Sequence, residues 1–238
     1  MVGIGPGSLE DLSPRARAAL AGSDLIVGYQ LYLDLLGDVI RGKETFSSGM
    51  TGEIERVQYA IDRALEGRTV SVVSSGDAGI YGMASLVMEA VAKAKATVEI
   101  EVIAGISALN AAAARLGAPL THDFAVISLS DLLTPLETIL RRVENAAAAD
   151  LVIVIYNPKS RSRTKPFEEA LAILRKHRLP STPVGVVRNA TRADESVRIT
   201  ALRDVEKEDI DMLTTVIVGN STTYVSNKRM ITPRGYTL

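Results

Sequence analysis

Two stretches of this chain hold residue types that move protons and bind anions. The first, PLTHDFAVISLSD (residues 119–131), sets His122 beside Asp123 and follows them with Ser128, Ser130 and Asp131. A histidine next to a carboxylate suits general acid–base work near neutral pH. The same histidine at the start of a strand also suits a structural role, and Asp131 suits a helix cap. The second stretch, YNPKSRSRTKP (residues 156–166), ends a strand and then places Lys159, Arg161, Arg163 and Lys165 close together. Guanidinium forks match carboxylates, so this loop reads either as a polyanion contact or as a solvated charge run.

Three glycine-bearing turns could hold a small molecule. In VGIGPGS (residues 2–8), Gly3 and Gly5 fit a dinucleotide turn, but Ser8 stands where the third glycine belongs. Pro6 also removes an amide donor, so the turn is a poor pyrophosphate cradle. SSGDAGIYGM (residues 74–83) follows an apolar run and opens a helix. Its Asp77 can accept from a ribose hydroxyl or an amine, or cap that helix. VIAGISALNAAAARLG (residues 102–117) repeats the pattern with an Ala-Gly turn, Ser107 as N-cap and an alanine-rich helix. Taken alone, it reads as close packing. VRNATRADE and VIVGNSTTYV end two further strands in small or amide-bearing residues.

These turns sit between alternating elements. Apolar runs predict strands over 2–4, 25–27, 69–74, 98–103, 124–128, 151–155, 184–187 and 214–218. Helical spacing predicts helices over 14–22 with Ser13 as cap, over 52–66 capped by Thr51 and closed by Gly67, and over 84–95, 107–116, 136–148 and 166–177. The alternation gives an α/β fold of mostly parallel sheets. The turn LGAPLTHD (residues 116–123) marks a boundary between domains 1–117 and 118–238. Only Met1 and Val2 precede the first glycine, which points to residues missing from the natural start.

Composition narrows the partners. The net charge of −1 and the 4% aromatic content disfavour nucleic acid. No apolar run nears the ~20 residues that span a bilayer, and no signal peptide opens the chain. Cysteine is absent, which suits a reducing cytoplasm, and two histidines make a protein-bound metal unexpected. A small-molecule ligand is the expectation.

Read in order, GxGPG, SGDAGIYG, VIAGISA, YNP and the late VGN resemble the tetrapyrrole methylase family over nearly the whole chain. Those enzymes use S-adenosylmethionine on porphyrin and corrin precursors. VGYQLYLDLL, HDFAVISLSDLLTP, YNPKSRSR, GNSTTY and MITPRGY look like the branch that methylates C-17 and contracts the ring. Uroporphyrinogen methylases carry an aspartate where this chain has Tyr29, and a methionine where it has Asn157.

The resemblance implies two α/β domains flanking a deep cleft, with the cofactor folded at their interface. By position it implies cofactor contacts from Pro6, Ser75, Gly76, Asp77, Ile80, Tyr81, Ser107 and Ala108, with Asn157 and Ala190 near the adenine. The loop holding Gly5 and Gly7 would border the tetrapyrrole, precorrin-3B or the cobalt-bearing cobalt-factor III. S-adenosylhomocysteine would leave as product, the protein would form a homodimer, and it would hold no metal of its own. Ring contraction needs proton transfers at oxygen, for which His122 and Asp123 are the expected pair. Tyr29, Ser128, Ser130 and Asp131 would support them, and Lys159, Arg161 and Arg163 would take the substrate's carboxylates. Three rivals stand beside this reading: a sister methyltransferase acting at C-11 or C-20, a nucleotide-dependent oxidoreductase, and a carrier without turnover. Ser8 argues against the oxidoreductase.

Overall fold

The structure, a computed structural model, describes residues 1–49 and 51–237. Its contacts divide the chain into two compact units, one ending at Ala108 and the other beginning at Leu109. The division falls before the alanine-rich helix, not after it, because that helix packs its buried face into the second unit's core.

The first unit runs β1 (Val2–Gly3), α1 (Pro14–Gly22), β2 (Leu25–Tyr29), α2 (Gln30–Leu36), β3 (Glu44–Ser48), α3 (Glu53–Leu65), β4 (Val70–Ser74) and α4 (Ala84–Ala94). Its sheet has the order β1-β4-β2-β3 with every pair parallel. Helices cover both faces. Ile26 packs with Leu20, Leu36 and Val73 on one side, while Leu25 and Val27 pack with Val57, Ile61 and Val87 on the other. A strand buried on two faces needs apolar residues at successive positions, which is how LIV reads. Ser13 caps α1 by accepting from the Ala16 amide at 3.1 Å, with Pro14 in the first turn. The cap expected from Thr51 is not formed. Gly52 takes that position, held by Ser48 Oγ donating to its carbonyl at 2.9 Å. Residues 98–103 also depart from expectation. They meet β1 only through one bridge, Val2 to Ile103, because β1 is two residues long.

The second unit contains α5 (Ala108–Leu116), β5 (Gly117–Ala118), β6 (Phe124–Ser128), α6 (Leu136–Ala148), β7 (Val152–Tyr156), α7 (Lys165–His177), β8 (Pro183–Arg188), β9 (Ser196–Ala201), β10 (Thr214–Val218), β11 (Tyr224–Ser226) and β12 (Arg229–Ile231). Its main sheet has the order β6-β7-β10-β8-β9, and β5 joins a small sheet with β11 and β12. Only β6 and β7 are parallel in the main sheet. The expectation of mostly parallel sheets therefore holds for the first unit and is corrected here. β8 and β9 form an antiparallel pair, and β10 inserts between β7 and β8 running against both. One face packs Ile153, Ile155 and Val218 against Phe167, Leu171 and Val143. The other packs Val154, Val187 and Ile217 against Leu109, Ala112 and Leu116 of α5 and Met230 of β12.

Two facts of topology place the functional groups. In the first unit, the loops after β1, β2 and β4 leave the same carboxyl edge. In the second, β8 runs in the direction of β6 and β7, so the ends of all three and the start of β10 share one edge. The far edge is tied by Arg178, whose buried guanidinium donates to the carbonyls of Ala147, Leu151 and Gly219 at 2.8, 3.0 and 3.2 Å. Burial lowers its pKa, opposed by Asp150 at 3.2 Å. Among the described residues no helix is long and apolar enough to cross a membrane.

Candidate functional site

The first unit brings its three expected turns together. Gly3 donates to the Ile103 carbonyl at 2.9 Å, and Ile4 donates to that of Ser74 at 3.0 Å. Gly5 and Gly76 exchange amide–carbonyl bonds at 3.1 and 2.7 Å. Asp77 completes the assembly: Oδ1 accepts from the Gly79 and Ile80 amides at 2.8 and 3.1 Å, and Oδ2 accepts from Gly105 at 3.0 Å. The carboxylate thus closes its own turn and fastens it to the next one; it does not cap the helix, the role its sequence allowed, because α4 begins only at Ala84 with Met83 at the N-cap position. The packing leaves no room for side chains. A Cβ on Gly3 would lie 2.6 Å from the Gly105 nitrogen and 2.9 Å from the Gly76 carbonyl oxygen. Gly105 is equally hemmed in, a constraint the residue pattern alone did not assign.

Around this floor each turn presents apolar surface. Leu9, Ile80, Tyr81 and Ile106 are all exposed, although the interior clusters lie close by. Gly76 (φ +67°) and Tyr81 (φ +53°) adopt left-handed backbone, which for a tyrosine is strained. Pro6 and Ser107 are buried, Gly7, Ser75 and Ala108 half-buried, and Gly5 turns at φ +80°. Tyr29 ends β2 on the same edge, its ring edge-on to Tyr32. A glycine-floored cradle with an apolar rim suits a small-molecule ligand.

The second unit gathers another set. β7 ends at Asn157 (φ +51°), whose Nδ2 donates to Ser128 Oγ at 2.9 Å. β8 ends at Asn189, also at φ +51°. Asparagine tolerates this conformation, so both strands stop where it occurs. Asn189 Nδ2 donates to Asp194 at 2.7 Å and its Oδ1 is buried without a partner among the described residues. Ala190 lies beside it, buried. Ser130 donates its amide to Ser128 Oγ at 3.2 Å. Arg163, expected to meet substrate, is committed to backbone. It donates to the carbonyls of Leu129 at 2.6 Å and Asn157 at 2.9 Å, and stands 3.8 Å from Asp131. Strand-end carbonyls need donors, and Arg163 supplies them.

His122 and Asp123 do not join this group. They precede β6, one strand length from Ser128, roughly 16 Å at ~3.3 Å per residue. There they line a depression of about 350 Å³ with Asp150, Asn220 and Arg234. His122 Nδ1 accepts the Asp123 amide at 2.9 Å. The same nitrogen stands 3.8 Å from the Asp123 carboxylate.

A latch holds the Asn189 turn. Arg188 Nε donates to Asp211 Oδ2 at 2.8 Å, and Asp211 also accepts from the Leu213 amide and Thr214 Oγ1, each at 2.9 Å. Burial pushes the Asp211 carboxyl up, but Arg188 and the other donors outweigh it and hold its pKa below the ordinary value. A depressed carboxyl adds stability that is complete above the unfolded pKa, about 4, and lost as pH falls through the folded value. Asp211→Asn is therefore expected to be less stable than the parent at about pH 6, with a gap that narrows toward about pH 3. Urea unfolding across that range measures it, and a constant gap would show that charge is not what the latch uses.

A family model for tetrapyrrole (corrin/porphyrin) methylases matches residues 1–206. The chain belongs to that family. This tetrapyrrole methylase is 49% identical over 238 residues to the probable cobalt-factor III C(17)-methyltransferase of Salmonella typhimurium, covering 100% of this chain and 99% of the relative. It is 51% identical to the cobalt-factor III methyltransferase of Priestia megaterium, covering 99% of this chain but spanning only 44% of that longer protein. Among solved structures, the methyltransferase CobJ superposes with a TM-score of 0.92 at 39% identity, over 98% of each chain. A uroporphyrin-III C-methyltransferase from Thermus thermophilus, complexed with S-adenosylhomocysteine, shares the fold at a TM-score of 0.68 and 21% identity, over 92% of this chain and 95% of that one.

Proposed function

We propose that this chain transfers the methyl group of S-adenosylmethionine to C-17 of cobalt-factor III and contracts the macrocycle, in cobalamin biosynthesis. The observation that carries the reading is the end-to-end match at 49% identity with a relative of the same length and that name. The stretches HDFAVISLSDLLTP, which runs along β6 to the second unit's carboxyl edge, and YNPKSRSR, which leaves that edge, support it by their likeness to the C-17 branch.

When bound, the cofactor supplies an electrophilic methyl group on a sulfonium. We assign its binding to the first unit's cradle, with Gly76, Asp77, Ile80 and Ser107 as principal contacts and Pro6, Ser75, Tyr81 and Ala108 beside them. The chain's contribution to methyl transfer is to hold the reactants in line and exclude water, which can supply ~7–11 kcal/mol. The apolar rim and the bonded loops suit that task. Contraction also requires proton transfers at oxygen. We assign these to Ser128, Ser130 and Asp131, with Tyr29, in preference to His122 and Asp123 at the opposite end of β6. Asn157 and Ala190 complete the second unit's share of ligand recognition. We further propose, from the family likeness alone, that the protein works in the cytoplasm as a homodimer.

The test is incubation with methyl-labelled cofactor and cobalt-factor III or precorrin-3B, followed by mass spectrometry and NMR of the product. Label at C-17 of a contracted ring, with the cobalt form turning over faster, is the expected result. Label at C-11 or C-20, or stabilisation by NADH in place of S-adenosylhomocysteine, would overturn the reading. His122→Ala is expected to keep both methylation and contraction within threefold of the parent rates. A hundredfold loss of contraction in that variant would return His122 to the reaction.

A further inference from the structure

Leu132 and Leu133 are adjacent leucines with 82% and 98% of their surface exposed. They follow Ser128, Ser130 and Asp131 on the loop between β6 and α6, and neither belongs to any interior cluster. Neighbouring apolar side chains held in water are costly, so such a pair usually marks something that covers it.

The loop under them is anchored at both ends. On one side Arg163 grips the Leu129 carbonyl at 2.6 Å and stands 3.8 Å from Asp131. On the other, the Pro135 carbonyl accepts from the Thr138 and Ile139 amides at 3.0 and 3.2 Å, starting α6. The leucines therefore sit on a fixed support. Arg163 also grips the Asn157 carbonyl at 2.9 Å, which joins this loop to the cationic one after β7. There Arg161 is exposed, and no ion pair is formed by it or by Lys159 among the described residues. Lys159 rests over the Phe167 ring at 5.0 Å. Lys159 also lies within electrostatic reach of Glu206, whereas Arg161 forms no ion pair among the described residues. One sheet edge thus offers an apolar pair beside two cations, of which Arg161 is the one left to solvent.

That combination selects a ligand with a broad apolar face and an anionic rim. A corrinoid macrocycle ringed by carboxylates has both features, whereas an apolar patch on a second protein copy would have no use for the cations. We propose that Leu132 and Leu133 form a platform for the flat face of the macrocycle, with Arg161 and Lys159 taking its peripheral carboxylates. The proposal rests on the substrate class assigned above and adds the residues that would set the macrocycle's position.

The test compares the full chain with Leu132→Ser/Leu133→Ser. Both side chains are in solvent, so the variant is expected to melt within about 2 °C of the parent, since exposed substitutions away from the core change stability little. S-adenosylhomocysteine affinity should stay within about twofold, while KM for cobalt-factor III rises about tenfold or more and kcat falls less than threefold. Leu132→Met/Leu133→Met should restore KM, because it restores apolar area. Arg161→Glu should raise KM independently. Unchanged KM in the serine variant overturns the platform, as does a shift in sedimentation with no change in KM, which would make the pair a contact between copies. If the unaltered chain gives no turnover, the functional reading fails on its own. The platform is then judged by equilibrium binding of cobalt-factor III, followed by its visible absorbance. Loss of that binding in the serine variant supports the platform, and unchanged binding overturns it.

Discussion

Gly105→Ala is expected to lose S-adenosylhomocysteine binding and to lower the stability of the chain by about 3 kcal/mol, the upper end for overpacking a tight interior. The added methyl would run into the Gly76 carbonyl oxygen and the Gly3 carbonyl group. Those atoms are backbone, fixed by the bonds that Gly3, Gly5 and Gly76 make to Ile103 and to one another. Neither can swing away as a side chain would. A loss of that size should lower the melting temperature by roughly 10 °C. Gly22→Ala is the matched control. Gly22 ends α1 with nothing near its prospective Cβ, and alanine there should be neutral or stabilising by up to ~1 kcal/mol. A Gly105→Ala protein that melted and bound like the parent would mean that the three turns are not locked as described.

The second large effect is expected at Asp77. Asp77→Ala removes the acceptor of three amides, those of Gly79, Ile80 and Gly105, and so unfastens two turns at once. Hydrogen bonds to a charged group contribute ~1.5–3 kcal/mol each, and displacing a reactant by ~1 Å can cost ~100-fold in rate. S-adenosylhomocysteine affinity is expected to fall about 100-fold and kcat/KM about 1,000-fold. Asp77→Asn separates the causes. It keeps an oxygen for Gly79 and Ile80 but aims an amide at the Gly105 N–H, so about a tenfold loss is expected, accompanied by reduced stability. Titration calorimetry of both variants decides the matter. Affinity retained within threefold in Asp77→Ala would remove the cofactor from this cradle.

Several elements could be read directly. The strands at Phe124–Ser128 and Thr214–Val218 and the helix Leu136–Ala148 coincide with their apolar patterns, because residues buried on a strand or helix face must repeat with its period. Two strands carry weaker patterns. β3 reads ETFSS and β9 reads SVRITA; both are edge strands, and an edge strand with one face in water need not be apolar. Residues 98–103 carry a strand-like pattern, but with β1 only two residues long they have almost no ladder to join.

The same division runs through the site. From the chain alone came the glycine turns, Asp77, the asparagine-ended strands and the family likeness, since backbone without room for a Cβ and strand-end conformations demand particular residue types wherever they occur. Only the folded arrangement separated His122 from Ser128 by the length of β6, committed Arg163 to the carbonyls of Leu129 and Asn157, and left Leu132 and Leu133 in solvent. Those outcomes depend on which strand lies beside which and where each one ends. Local composition carries no record of pairing between distant segments, so a histidine beside an aspartate reads the same at either end of a strand.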